Sequence, residues 1–222
     1  MKHLVFWFDP VSPYAWLAFD RLPQALAGIS HVVDYRPVLF AGLLQHHRHK
    51  GPAEIAPKRL WTYRDAVWRA HVQGTPLELP GRHPFNPLPL LRLALACAGA
   101  GETPNRRVVE AVMRHAWIGG ADAEDAQRLD TLERELAPAR DPRGPEVKEE
   151  LRAWTARAAA AGVFGVPTFE VEGLQFWGHD ALPMLAAALG GDPFFTSPAW
   201  EAAGAAREGV QRALNPLPSS PG

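Results

Sequence analysis

The apolar positions along this chain change period several times, and the changes divide it into elements. Leu4 to Phe8 form an unbroken apolar, aromatic run that predicts a buried strand. The run breaks at Asp9 and Pro10, after which Tyr14, Leu17, Ala18, Leu22 and Leu26 recur at helical spacing up to Gly28. A second strand is predicted over "HVVDYRPVLF", residues 31–40, which is rich in β-branched and aromatic residues. From Ala41 to about Gly162 no strand pattern returns. Segments of helical character separated by Gly and Pro run over Pro57–Val72, Leu88–Ala98, Asn105–Trp117, Ala123–Leu136 and Pro145–Ala161. Two apolar runs in "GVPTFEVEGLQFWG" then flank Glu172 and Gly173 as an antiparallel hairpin, and a last helix follows over Asp180–Leu189.

The order β, α, β, helical insertion, α, β, β, α matches an α/β, thioredoxin-like fold with a central all-helical insertion domain, its sheet covered by helices on both faces. Residues 1–40 and 163–195 are expected to form the thioredoxin-like domain, with the helix before residue 163 partly packing on it. Residues 41–162 form the insertion. The tail, 196–222, opens with a short helix and ends "NPLPSSPG", a composition expected to be partly disordered.

Composition narrows the function classes. At 222 residues and 47% hydrophobic content the chain can bury a full core. A net charge of −1 without a basic block points away from nucleic acid and towards a small-molecule partner. The apolar stretch before Asp9 is too short for a signal-peptide core, and no run approaches the ~18 apolar residues of a membrane span. A soluble, cytoplasmic protein is expected. The single cysteine, Cys97, fits a reducing compartment and reads as a core thiol.

Candidate chemistry concentrates in two places. Ser12, followed by Pro13, stands at the strand-to-helix turn "DPVSPYA", where it can cap the helix. The same position faces free N–H groups and the positive end of the helix dipole, so it also suits an anion. A capping serine accepts with its oxygen and retains a proton to donate. To a bound thiolate that proton would be a hydrogen bond, and both effects lower a thiol's pKa. No G-x-S-x-G elbow accompanies Ser12, which argues against serine hydrolysis. Pro167, in "GVPTF", reads either as a strand-start proline or as a cis proline. In the second case Val166 would offer its backbone to an extended ligand. The run "HHRH", His46 to His49, has no Cys or acidic partner at ligand spacing, so no metal site is expected.

Five segments together, "FDPVSPYAWLA", "GPAEIAPKR", "FNPLPLLRLAL", "GVFGVPTFEV" and "FWGHDALPML", resemble the 2-hydroxychromene-2-carboxylate isomerases and kappa-class glutathione transferases. That group lies within the DsbA-like superfamily, and the resemblance covers Phe6 to about Leu189. Redox members carry Cys-x-x-Cys where this chain has Ser12 and Ala15, so dithiol exchange lacks both thiols. The resemblance implies glutathione as cofactor, a small aromatic substrate, a homodimer, and Ser12 as the catalytic residue at the glutathione sulfur. It further implies that Val166, beside Pro167, pairs with the cysteinyl part. In "GHDAL", His179 and Asp180 would receive the γ-glutamyl end, with Asp180 on its amino group and the helix N-terminus on its carboxylate. Lys58 aligns with a glutathione-binding lysine, and His49 stands where an asparagine is common. Ala181 replaces a common arginine. Asn86, Tyr14 and Trp16 would border the substrate.

Overall fold

A computed structural model describes residues 1–205 and residue 209; the tail expected beyond them lies outside the described residues. Four strands form one mixed sheet in the order β2-β1-β3-β4: β1 Lys2–Phe8, β2 His31–Pro37, β3 Thr168–Val171 and β4 Leu174–Trp177. The β1–β2 pair is parallel, joined by a crossover through helix α1 (Pro13–Ala25), while β3 pairs antiparallel with both β1 and β4. Glu172 and Gly173 turn the β3–β4 hairpin with φ of 50° and 83°, the left-handed pair that a two-residue hairpin loop requires.

Alternation along β1 sorts the core into two layers. Leu4, Phe6 and Phe8 face one side, where α1, helix α5 (Arg106–Trp117) and helix α8 (Leu182–Leu189) cover them. Val5 and Trp7 face the other, against helix α7 (Pro145–Ala160) and Leu91 and Leu95 of helix α4 (Leu88–Ala96). Phe6 stacks on Phe169 of β3 at 4.9 Å between ring centroids. Each such fully buried ring contributes about 1.5–3 kcal/mol over its exposed state. One apolar cluster continues from β1 through α1 into α4 and α5, so the inserted helices share the core of the sheet.

The insertion also contains helices α2 (Phe40–His46), α3 (Ala56–Gln73) and α6 (Ala126–Leu136). Helix α2 replaces the end of the strand predicted over residues 31–40. Its start is fixed by a distant acceptor, since the Phe40 N–H donates to Asp9 Oδ2 at 2.8 Å and no local side chain caps it. Helix α9 (Pro198–Gly204), capped by Ser197, is the short helix expected at the start of the tail. Cys97 is the C-cap of α4 and is half-buried rather than a fully enclosed core thiol. Among the described residues no helix is long and apolar enough to cross a membrane.

Candidate functional site

The turn between β1 and α1 is held from every side. Asp9 is fully buried and accepts from two backbone donors, Val11 N–H at 2.9 Å and Phe40 N–H at 2.8 Å. Its own carbonyl accepts the Ser12 N–H. The next two carbonyls are also taken: Trp117 Nε1–H donates to Pro10 O at 2.8 Å, and His83 Nε2–H donates to Val11 O at 2.7 Å. With Nε2 protonated, His83 Nδ1 is free to accept from the Tyr63 hydroxyl at 2.8 Å. Burial pulls the His83 pKa down and keeps the ring neutral in that tautomer. Burial also pushes Asp9 up to about 7, against which its two backbone hydrogen bonds work only in part.

Ser12 is 7% exposed and caps α1: its Oγ accepts from Ala15 N–H at 3.3 Å. Its hydroxyl proton goes to Val166 O at 3.2 Å. Two expectations change here, because the Ser12 proton is already engaged and the Val166 carbonyl is already paired. Among the described residues the Val166 N–H has no partner. Val166–Pro167 is a cis peptide bond, and both residues are buried. The turn and the loop are therefore joined through one hydroxyl at a helix N-terminus.

The remaining candidates divide by exposure. Tyr14 is half-buried in the first turn of α1 and donates to Asp65 Oδ2 of α3 at 2.7 Å. Burial first, then Asp65, push its pKa well above the ordinary tyrosine value. Arg69 Nε donates to the same carboxylate oxygen at 2.7 Å. Trp16, expected to border the substrate, is 1% exposed, and its indole donates to Pro76 O; it is core and offers no face to a ligand. His179 Nε2 lies 2.6 Å from Gln73 Oε1. Burial, then the nearby Arg69 charge, lower the His179 pKa and favour the neutral ring. Asp180 is exposed.

Lys58, in the first turn of α3, and Asn86, whose Oδ1 accepts from Leu88 N–H, are both exposed. His49 is exposed too; its Nδ1 lies 3.4 Å from Lys50 O and its ring stacks against His47. Its neighbour His47 reaches the loop before the cis proline, with Nε2 3.1 Å from Val163 O. Sequence reasoning passed over Asp65, Arg69, Tyr63 and His83. Asp65 and Arg69 did carry a signal, an acid four residues before a base on one helix face. The Tyr63–His83 pair had none, because it joins residues 20 apart.

Comparison with known proteins gives the family and the fold. The family description "DSBA-like thioredoxin domain" matches residues 3–190. A 2-hydroxychromene-2-carboxylate isomerase of Sphingobium xenophagum is 27% identical, over 85% of this chain and 98% of its own. Glutathione S-transferase kappa 2 of Caenorhabditis elegans is 26% identical, over 87% of this chain and 93% of its own. A solved 2-hydroxychromene-2-carboxylate isomerase superposes with a TM-score of 0.74 at 20% identity, covering 92% of this chain and all of that one, a likeness of fold.

Proposed function

The chain belongs to the DSBA-like thioredoxin domain family, and from that premise we propose that it is a glutathione-dependent isomerase acting on a small aromatic-derived acid such as 2-hydroxychromene-2-carboxylate. The observation that carries this reading is the Ser12 hydroxyl, buried at the N-terminus of α1 and hydrogen-bonded to the loop carbonyl of Val166. Its surroundings suit glutathione: a hydroxyl donor at a positive helix end for sulfur, and a free Val166 N–H beside a carbonyl for an extended cysteinyl backbone. When bound, glutathione supplies a nucleophilic thiolate whose reversible addition to a conjugated carbon turns a double bond into a rotatable single bond.

The protein's part follows from exchange of hydrogen bonds. Val166 O releases the Ser12 proton and accepts the ligand's cysteinyl N–H, while Val166 N–H donates to the ligand's carbonyl. Ser12 O–H turns to the sulfur, keeps its Oγ on Ala15 N–H, and favours the thiolate over the thiol. Dithiol chemistry has no place here. Position 15 is alanine, and Cys97 sits at the far end of α4.

The assay is spectrophotometric turnover of 2-hydroxychromene-2-carboxylate with and without glutathione, with glutathione measured before and after. Turnover that requires glutathione and returns it supports the isomerase. Turnover that consumes glutathione identifies a transferase, the activity named in the kappa relatives. Binding of glutathione without turnover refutes the isomerase and leaves a thiol-binding protein on this scaffold. The same reading makes the protein cytoplasmic, where glutathione is abundant, and a homodimer; fractionation and light scattering test those two points.

A further inference from the structure

Helices α1 and α3 run in the same sense, since Tyr14 O–H donates to Asp65 Oδ2 and, further along both, Gln73 Nε2 donates to Leu17 O at 2.9 Å. Helix α1 begins at Pro13, whereas α3 begins at Ala56, well before Asp65. The first turns of α3 therefore extend past the start of α1 and border the Ser12 turn. Tyr63 lies at the edge of this overhang, partly exposed, and its hydroxyl donates to His83 Nδ1 at 2.8 Å. The Nε2–H of the same ring donates to Val11 O, one residue before Ser12.

Hydroxyl, imidazole and carbonyl thus form a chain in which a histidine, oriented by a third group, stands behind a hydroxyl, the arrangement that lets a hydroxyl exchange its proton. Thiolate addition makes no use of it. Val11 O fixes the tautomer, Phe85 and Trp117 pack against the ring, and burial keeps it neutral, so Nδ1 can receive a proton. The Tyr63 oxygen, while donating, retains lone pairs to accept from a ligand. Arg59, one turn earlier on the same face of α3, is exposed, and its charge reaches the Tyr63 hydroxyl.

In 2-hydroxychromene-2-carboxylate, C2 carries a hydroxyl, a carboxylate and the ring oxygen O1. It is a hemiketal, and its C3–C4 double bond is held cis until the ring opens. We propose that Tyr63 is a further catalytic residue, which opens that ring with His83 as the proton acceptor behind it. The proposal rests on the substrate named above and is independent of glutathione. The C2 hydroxyl gives its proton to the Tyr63 oxygen as the Tyr63 proton passes to His83 Nδ1. The freed O–H pair forms the C2 carbonyl, and the C2–O1 bond breaks with its pair on O1. The proton then returns from Nδ1 through Tyr63 to O1, so both residues are restored and nothing is oxidised or reduced. Arg59 offers a cation to the carboxylate on C2.

The probe is 2-hydroxychroman-2-carboxylate, which lacks the double bond and so gives a thiolate no carbon to attack. Exchange between its closed and open forms is read by NMR with the full chain and without glutathione. Wild type accelerates the exchange at least tenfold over buffer, and Tyr63→Phe and His83→Gln each lose at least tenfold of the wild-type rate. His83→Gln keeps an N–H for Val11 O and an oxygen for the Tyr63 hydroxyl but carries no proton, so a purely structural role would leave its rate unchanged. Calorimetry finds the probe and glutathione bound within twofold of wild type by both variants. No acceleration by the wild type, full acceleration by either variant, or a binding loss that accounts for the slower exchange overturns the relay. Should His83→Gln unfold in a thermal melt, Tyr63→Phe, at a partly exposed position, decides alone. The isomerase reading fails separately, by absent glutathione-dependent turnover in a wild type that still speeds the exchange.

Discussion

The β1–α1 turn and the outer face of α3 border the same candidate site and are built on opposite terms. In the turn, residues 9–12 spend nearly every polar group on the protein itself: the Asp9 carboxylate on two N–H groups, the Pro10 and Val11 carbonyls on Trp117 and His83, the Ser12 hydroxyl on both a donor and an acceptor. Along α3, Lys58 is exposed without a side-chain bond among the described residues, Trp61 is 68% exposed and Trp68 60%. A dry, internally satisfied turn keeps its geometry when nothing is bound. An exposed face gains its contacts only when something arrives. Under the proposed function, chemistry would belong to the first and selection among ligands to the second.

Substitutions can break that contrast, and Asp9 should give the largest effect. At pH 5, where Asp9 is uncharged, Asp9→Ala strands two buried N–H groups and should cost about 2–4 kcal/mol in urea unfolding. Its folded pKa, about 7, stands above the ordinary 3.8, so the folded state holds the proton more tightly than the unfolded chain. The Asp9 contribution to stability is then fully present below about pH 4 and is lost as pH rises through about 7, about 4 kcal/mol in all at 1.4 kcal/mol per pH unit. Asp9→Asn, which keeps one acceptor and does not titrate, should flatten that decline. Parallel pH–stability curves for the wild type and Asp9→Asn would remove the buried acid from the account.

Ser12→Ala comes next. It should raise the pKa of bound glutathione by about one pH unit and slow turnover roughly tenfold, as read by thiolate absorbance and by the isomerase assay. Its stability cost should stay near ~1 kcal/mol, the scale of a lost cap. Unchanged turnover would reduce Ser12 to a cap. Trp117→Phe keeps the ring in the core but frees Pro10 O, and should cost about 1–2 kcal/mol with a smaller loss of turnover. Smallest of all, Lys58→Ala should leave stability within about 0.5 kcal/mol while weakening glutathione a few-fold. A loss of 2 kcal/mol or more at Lys58 would erase the distinction between the two regions.

The same contrast explains what could be read in the sequence. The strand at β1, the Ser-Pro entry to α1 and the β3–β4 hairpin are local patterns, and each stands close to where it is expected, with Ser12 and Val166 brought together across 154 positions. Helix α2 escaped because its first N–H is captured by Asp9, 31 residues upstream, inside a segment that otherwise reads as strand. Trp16 escaped in the other direction, since an aromatic in the first turn of a helix has the same local pattern whether it lines a pocket or fills a core. The Tyr14–Asp65–Arg69 contact joins α1 to α3, and no single periodicity contains both helices.

The hydroxyl bridge from Ser12 to Val166 has a kinetic consequence under the proposed function. Because the free protein already makes that bond, admitting a thiolate trades one hydrogen bond for another and adds little affinity at the sulfur. The gain is confined to the charged form, so a sulfur that has become a neutral thioether gives up the advantage and regains it as elimination restores the thiolate. Ser12 would then favour the departing sulfur as much as the attacking one, while Val166 O serves as the resting acceptor of its proton only when the cysteinyl site is empty.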